Sequence, residues 1–229
     1  MKGRGRRRRN ESVARPRSGS GKGGDGPISG YDVGSQAARA RFGTREGSRG
    51  GDYSQADLLT LVAVSEGRTF TQQEERYVRE SIAEAGYDPY ATERVRAGLS
   101  GIDYRGRMLS PGQEISTEDR HDATHVIAEE QWPAGTSKEQ YLASAREVVL
   151  DPDTHILYSR RPYPGGNRRH LGFIRQSGEL RGPGGNQWIF VEYRLETGHW
   201  MSAHQRPEGP EEIEAENRRE DTLWMNAPR

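Results

Sequence analysis

The chain has 229 residues, 34 Lys/Arg against 34 Asp/Glu, and no cysteine. A hydrophobic fraction of 31%, with 29 Gly and 12 Pro and a mean hydropathy of −1.01, excludes one large core along the whole length. The lack of cysteine excludes a disulfide framework or thiolate metal site. No apolar run approaches the roughly 18–20 residues of a membrane span, and the basic start lacks the apolar stretch of a signal peptide.

Neutrality conceals segregation. Residues 1–50 carry 13 Lys/Arg against 4 Asp/Glu, a surplus of nine positive charges. Residues 51–109 carry 7 against 10, residues 110–206 carry 11 against 13, and residues 207–229 carry 3 against 7. The overall balance therefore averages unlike parts, and four regions are expected.

Residues 1–51 form a Gly/Arg/Ser tract opening with Arg6–Arg9, and its lack of apolar periodicity predicts a disordered basic arm. It reads either as an arm for RNA, DNA or an acidic partner, or as a solvated linker. Residues 52–109 predict a small helical region and connector. Asp52 or Ser54 can cap a helix over Gln55–Ser65, and Thr71 with Glu74 is spaced as a capping box for Gln72–Ala85. A third helix is expected over Tyr90–Leu99, then a connector with turn signals at Arg105-Gly106 and Ser110-Pro-Gly112.

Residues 110–206 predict the α+β domain. Ser116–Trp132 reads as one helix, or a short helix leading into a strand; the helix is preferred, with Thr117 as a weak cap. A helix over 137–150 is marked by Thr136 or Ser137 at its start, by Tyr141, Leu142, Ala145, Val148 and Val149 at helical spacing, and by Asp151-Pro152 at its end. Four strands follow at His155–Arg161, His170–Gln176, Gln187–Leu195 and Gly198–Gln205, alternating apolar and polar as half-buried antiparallel strands do. The expected fold is α+β: a small helical part, then a four-stranded antiparallel meander. Residues 207–229 predict an acidic tail, with at most a short helix near Trp224.

Metal-free RNA cleavage needs a base for the 2′-OH proton, an acid for the leaving 5′-oxygen, and cations for the charge on the phosphorane. The strands supply His155, His170, His199 and His204, and between 160 and 181 there are six arginines against one acid, Glu179. Arginine is a planar phosphate clamp but stays protonated near neutral pH, so a histidine must move the proton. His121 and His125, four apart and with Glu129, form an alternative metal-ligand set, although the helix lacks the HExxH pattern.

His125, the helix at 137–150, and the runs HILYSRR, RHLGFIR and WIFVEYRLETGHWMSAHQ together resemble the barnase–colicin–RelE-like superfamily of toxin RNases. The resemblance covers roughly 115–206 and rests on layout more than on invariant residues. It implies a metal-independent endoribonuclease cleaving RNA, tRNA or mRNA for example, by 2′-OH transesterification without a cofactor. It further implies His125 and His204 as the acid–base pair, Ser202 on phosphate, and Arg175, Arg168 and Arg169 on the scissile group. Arg160, Arg161 and His170 extend that substrate-binding set. Such domains sit at the C-termini of polymorphic toxins and in phage head-associated proteins, act in the cytoplasm of a target cell, and pair with a cognate immunity protein. A departure is that this chain has Arg where the family often has Lys. The rival expectation is a non-enzymatic nucleic-acid-binding or phage structural protein holding phosphate nonspecifically. ADP-ribosyl transfer ranks below both, because Glu212 and Glu214 fall in the tail.

Overall fold

A computed structural model of the chain describes residues 53–86, 94–96, 101, 103–164, 166–183, 185–216 and 222–227. The arm expected over 1–51 lies outside them, as does most of the expected third helix. At Arg94–Arg96, inside that helix, the backbone is instead a strand, β1.

Two helices open the described part, α1 (Tyr53–Glu66) and α2 (Gln72–Gly86). The capping box before α2 is made: the Thr71 N–H donates to Glu74 Oε2 at 2.9 Å, and the Glu74 N–H donates to Thr71 Oγ1 at 3.3 Å. Small pairings follow, β1 with β4 (Glu114–Ser116) and β2 (Asp103–Tyr104) with β3 (Arg107–Met108). The β2–β3 turn places Arg105 at φ 47° and Gly106 at φ 82°, the left-handed pair that a two-residue hairpin requires.

The segment after β4 begins as helix α3 (Thr117–His121) and widens into a π-helical turn over Asp122–Ala128. Its cap is Ser116, which accepts from the Asp119 N–H at 3.0 Å, and not Thr117. Helix α4 (Lys138–Leu150) follows with a complete Ser137/Gln140 capping box.

The main sheet is five-stranded, where four strands were expected. Its order is β8 (His199–Arg206), β7 (Trp188–Arg194), β6 (Gly166–Gln176), β5 (His155–Tyr163), β9 (Thr222–Trp224), all antiparallel. The fifth strand comes from the tail, which also forms helix α5 (Pro210–Glu216). The expected acidic tail with at most a short helix near Trp224 thus has its helix earlier and a strand at Trp224, and the reason is burial: Met225 and Ile213 are 0% and 1% exposed.

Strand alternation gives the sheet two different faces. Ile156, Tyr158, Leu171, Phe173, Ile189, Val191, Tyr193 and Ala203 face the helices and pack with Leu59, Val78, Ile82, Tyr141 and Val149 in one core. That core crosses the boundary expected at 109/110, so α1 and α2 share the interior of the sheet domain. The other face carries Leu157, Ile174 and Phe190, covered at one end by Ile213 of α5. Trp188 and Trp224 pack against that cluster, and Arg161, His170, Glu192, Ser202 and His204 share the same face. Among the described residues no helix is long and apolar enough to cross a membrane.

Candidate active site

The π-helical turn carries His125 to the outer edge of β8. Turns of this kind cluster at functional sites because the extra residue per turn re-aims side chains. Its start is fixed by Asp122, fully buried and bonded twice by Arg105, Nε to Oδ2 at 2.7 Å and Nη2 to Oδ1 at 2.9 Å. Its end is fixed by Gln131, whose Oε1 accepts from the Gln205 N–H at 3.0 Å and whose Nε2 donates to Glu129 Oε2 at 2.7 Å. Gly182 passes so close that a Cβ there would lie 1.9 Å from the Gln131 carbonyl oxygen. Only glycine fits that approach.

Glu129 in turn holds His125, with Oε2 2.8 Å from Nδ1. A proton on Nδ1 donates to that carboxylate, which leaves Nε2 to face the site. Ser202 Oγ lies 3.4 Å from His125 Nε2 and 3.3 Å from His204 Nδ1. The rings of His121 and His125 stack with centroids 5.3 Å apart, and those of His125 and His204 lie 5.6 Å apart.

Burial dominates the electrostatics. It pushes His121 down to about 3, helped by His125, Arg120 and His204. It pushes His204 down to about 4, helped by His125, Arg206 and Arg161 and opposed by Glu192. His125 is also lowered by burial, but the Glu129 hydrogen bond and charge pull it back up. Burial therefore favours the neutral form of all three rings, and His125 is the one whose ring meets a carboxylate.

Beside Ser202 stands an acid. Glu192 pairs with Ser202 across β7 and β8, points to the same face, and is only 7% exposed. Its Oε1 lies 2.7 Å from Arg161 Nη2 and 3.1 Å from His170 Nδ1. Neither approach is aligned as a hydrogen bond, since Oε1 and both nitrogens of His170 lack a hydrogen-bond partner. Strand alternation puts Glu192 and Tyr193 on opposite faces, and only the assembled sheet decides which of the two shares the histidine face.

The structure thus brings together His125, Ser202, His204 and, on the same face, His170 and Arg161. His170 is buried to 1% exposure, under Tyr163, whose ring centroid is 6.1 Å away. Arg168 is on this face too, over the Tyr163 ring at 4.2 Å. It does not bring the remaining arginines there. Arg160, Arg169 and Arg175 alternate to the helix side, where Arg169 is bound to Asp57 of α1 and lies 3.4 Å from Glu196, and Arg175 Nε lies 3.1 Å from Asp151. Those two serve ion pairs of the fold. Among the described residues no group of three or more His, Asp or Glu is arranged to hold a metal ion.

No family model, no curated protein and no solved structure matches this chain.

Proposed function

We propose that the chain is a metal-independent endoribonuclease of toxin type, with its site on the sheet face at β7 and β8. The observation that carries the reading is the placement of Ser202 between two proton-handling groups: His125, braced by Glu129, from the edge, and Glu192, beside Arg161, from the neighbouring strand. Facing positions on paired strands are about 5 Å apart, a span that one phosphodiester can bridge.

In this reading Glu192 takes the proton of the 2′-OH, and the 2′-oxygen forms a bond to phosphorus. The bond from phosphorus to the 5′-oxygen breaks, and His125 Nε2 gives that oxygen its proton, leaving a 2′,3′-cyclic phosphate and a 5′-OH. Burial favours neutral His125, and an arriving phosphodiester anion favours its protonated form. Glu129 then accepts from Nδ1–H while Nε2–H points at the leaving group. Arg161 offsets the charge of the phosphorane, and Ser202 hydrogen-bonds a phosphate oxygen. His204, the other acid–base candidate, is held so low that it stays neutral near pH 7, and it orients Ser202. RNA is the substrate, and an immunity protein with acidic groups is the partner that this face suits.

The test is incubation of the full chain with total tRNA and with mRNA in EDTA, beside a His125→Ala copy; the full chain is used because α1 and α2 share the core. Cleavage by the wild type leaving cyclic phosphate, lost in the variant, supports the reading. Intact RNA with salt-dependent binding moves the case to the non-enzymatic binding module.

A further inference from the structure

Tyr163 is the aromatic among the exposed large hydrophobic residues of the described part, at 36% exposure; the other two are Met108 and Leu150. It sits at the end of β5, where Pro162 and Pro164 flank it and restrict the backbone on both sides. Its strand partner is Gly166, at φ 131°, a conformation that a side chain opposes. The backbone that carries the ring is therefore restricted, which lowers the ordering cost when something packs on it.

The ring belongs to the face that carries the candidate site. Tyr163 and Arg161 alternate to the same side of β5, and near-parallel rings link Tyr163 to His170, which meets Glu192 at 3.1 Å. Arg168 lies over the tyrosine ring at 4.2 Å from its centroid. The arginines around it meet acids: Arg161 meets Glu192, Arg169 meets Asp57, and Arg175 meets Asp151. Among the described residues Arg168 instead has an aromatic partner. Arg168 is half-buried and so keeps part of its surface in solvent, and bases of single-stranded RNA stack on guanidinium planes.

We propose that Arg168, backed by Tyr163, is the platform on which one base of single-stranded RNA stacks beside the scissile phosphodiester. The inference rests on the ribonuclease reading and adds to it a subsite for a flanking nucleotide. The platform has no hydrogen-bond pattern to match, so it accepts any base and prefers purines for their larger stacking area.

The experiment measures binding of the full chain to a 2′-O-methyl hexanucleotide that cannot be cleaved, with one abasic position moved along it. The wild type should lose about tenfold to hundredfold in affinity at one position and little elsewhere. Arg168→Lys, which keeps the charge and discards the plane, should bind the intact oligonucleotide as weakly as the wild type binds the abasic one, with no response to the abasic scan. Tyr163→Leu, which keeps apolar cover over His170, should do the same. An Arg168→Lys protein that binds and responds like the wild type overturns the proposal, because charge alone would then suffice. So does a wild type that cleaves RNA yet loses affinity evenly along the scan. A wild type that neither binds nor cleaves RNA sinks the ribonuclease reading itself, and the platform with it.

Discussion

Glu192 and Ser202 face each other across β7 and β8 immediately before the register slips, since the next pair is Tyr193 with Trp200 and Met201 has no partner. This bulge lets Trp200 stay in the helix-side core while Ser202 and His204 turn to the other face. Bulges near sites re-aim side chains in this way. The two acid–base groups of the proposed reaction, Glu192 and His125, therefore flank one serine.

Glu192→Gln should lower kcat for RNA cleavage by about 10²–10⁴-fold, the range of a lost general base, with RNA affinity nearly unchanged. Ser202→Ala should cost no more than about tenfold, as befits one neutral hydrogen bond. Steady-state kinetics on a defined oligonucleotide, with a thermal melt for each variant, separates the two effects.

Glu129 raises the proton affinity of His125 against the lowering effect of burial. Glu129→Gln removes that support, so His125 should hold its proton only at lower pH. If protonated His125 is the acid, the alkaline limb of the kcat profile should move to lower pH in the variant. An unmoved limb assigns the acid role elsewhere.

The histidine cluster should also make stability depend on pH. The folded values of His121 and His204 are lowered to about 3 and about 4, below the unfolded value of about 6.5. Between these limits the unfolded chain binds more protons than the folded one, so stability is complete above about 6.5 and is lost as pH falls toward 4 and 3. Urea unfolding at steps from pH 7 to pH 4 should show this decline, on the order of a few kcal/mol for the cluster. His121→Gln should flatten it.

Arg79 ties α2 to the end of α4. It is 3% exposed, pairs with Glu75 at 2.7 Å, and donates to the carbonyl oxygens of Val149 at 2.9 Å and Thr154 at 2.6 Å. Arg79→Ala leaves Glu75 and both carbonyls short of a partner and should cost about 3–5 kcal/mol. Arg76→Ala, which breaks an exposed pair with Glu80, should change stability by less than about 1 kcal/mol. Chemical denaturation of both variants checks the contrast.

Much of the sheet was legible because alternation is local: the expected strand at Gln187–Leu195 appears as Trp188–Arg194, and Ser137 caps α4 as its sequence suggests. The fifth strand was not legible, because Thr222–Trp224 is too short to alternate and is defined only by its pairing with Leu157–Ser159. Arg169 and Arg175 carry the charge expected of phosphate ligands, but their faces and their acidic partners Asp57 and Asp151 depend on tertiary packing. Of the candidate site, residue type supplied the pool of histidines, and the roles of His125, Ser202 and His204 came from the resemblance. Glu192 was not, because only the assembled sheet decides which face borders the helices.

In the proposed reaction the 2′-oxygen attacks within the face formed by His125, Ser202 and Glu192. The most direct measurement compares an all-ribose oligonucleotide with copies bearing a single 2′-deoxy sugar at each position, in EDTA, followed by mass analysis of the ends. Cleavage that stops at the bond following the 2′-deoxy sugar, with 2′,3′-cyclic phosphate on the products, is the predicted result. Cleavage that continues at that bond, or products bearing a 5′-phosphate, would contradict the account.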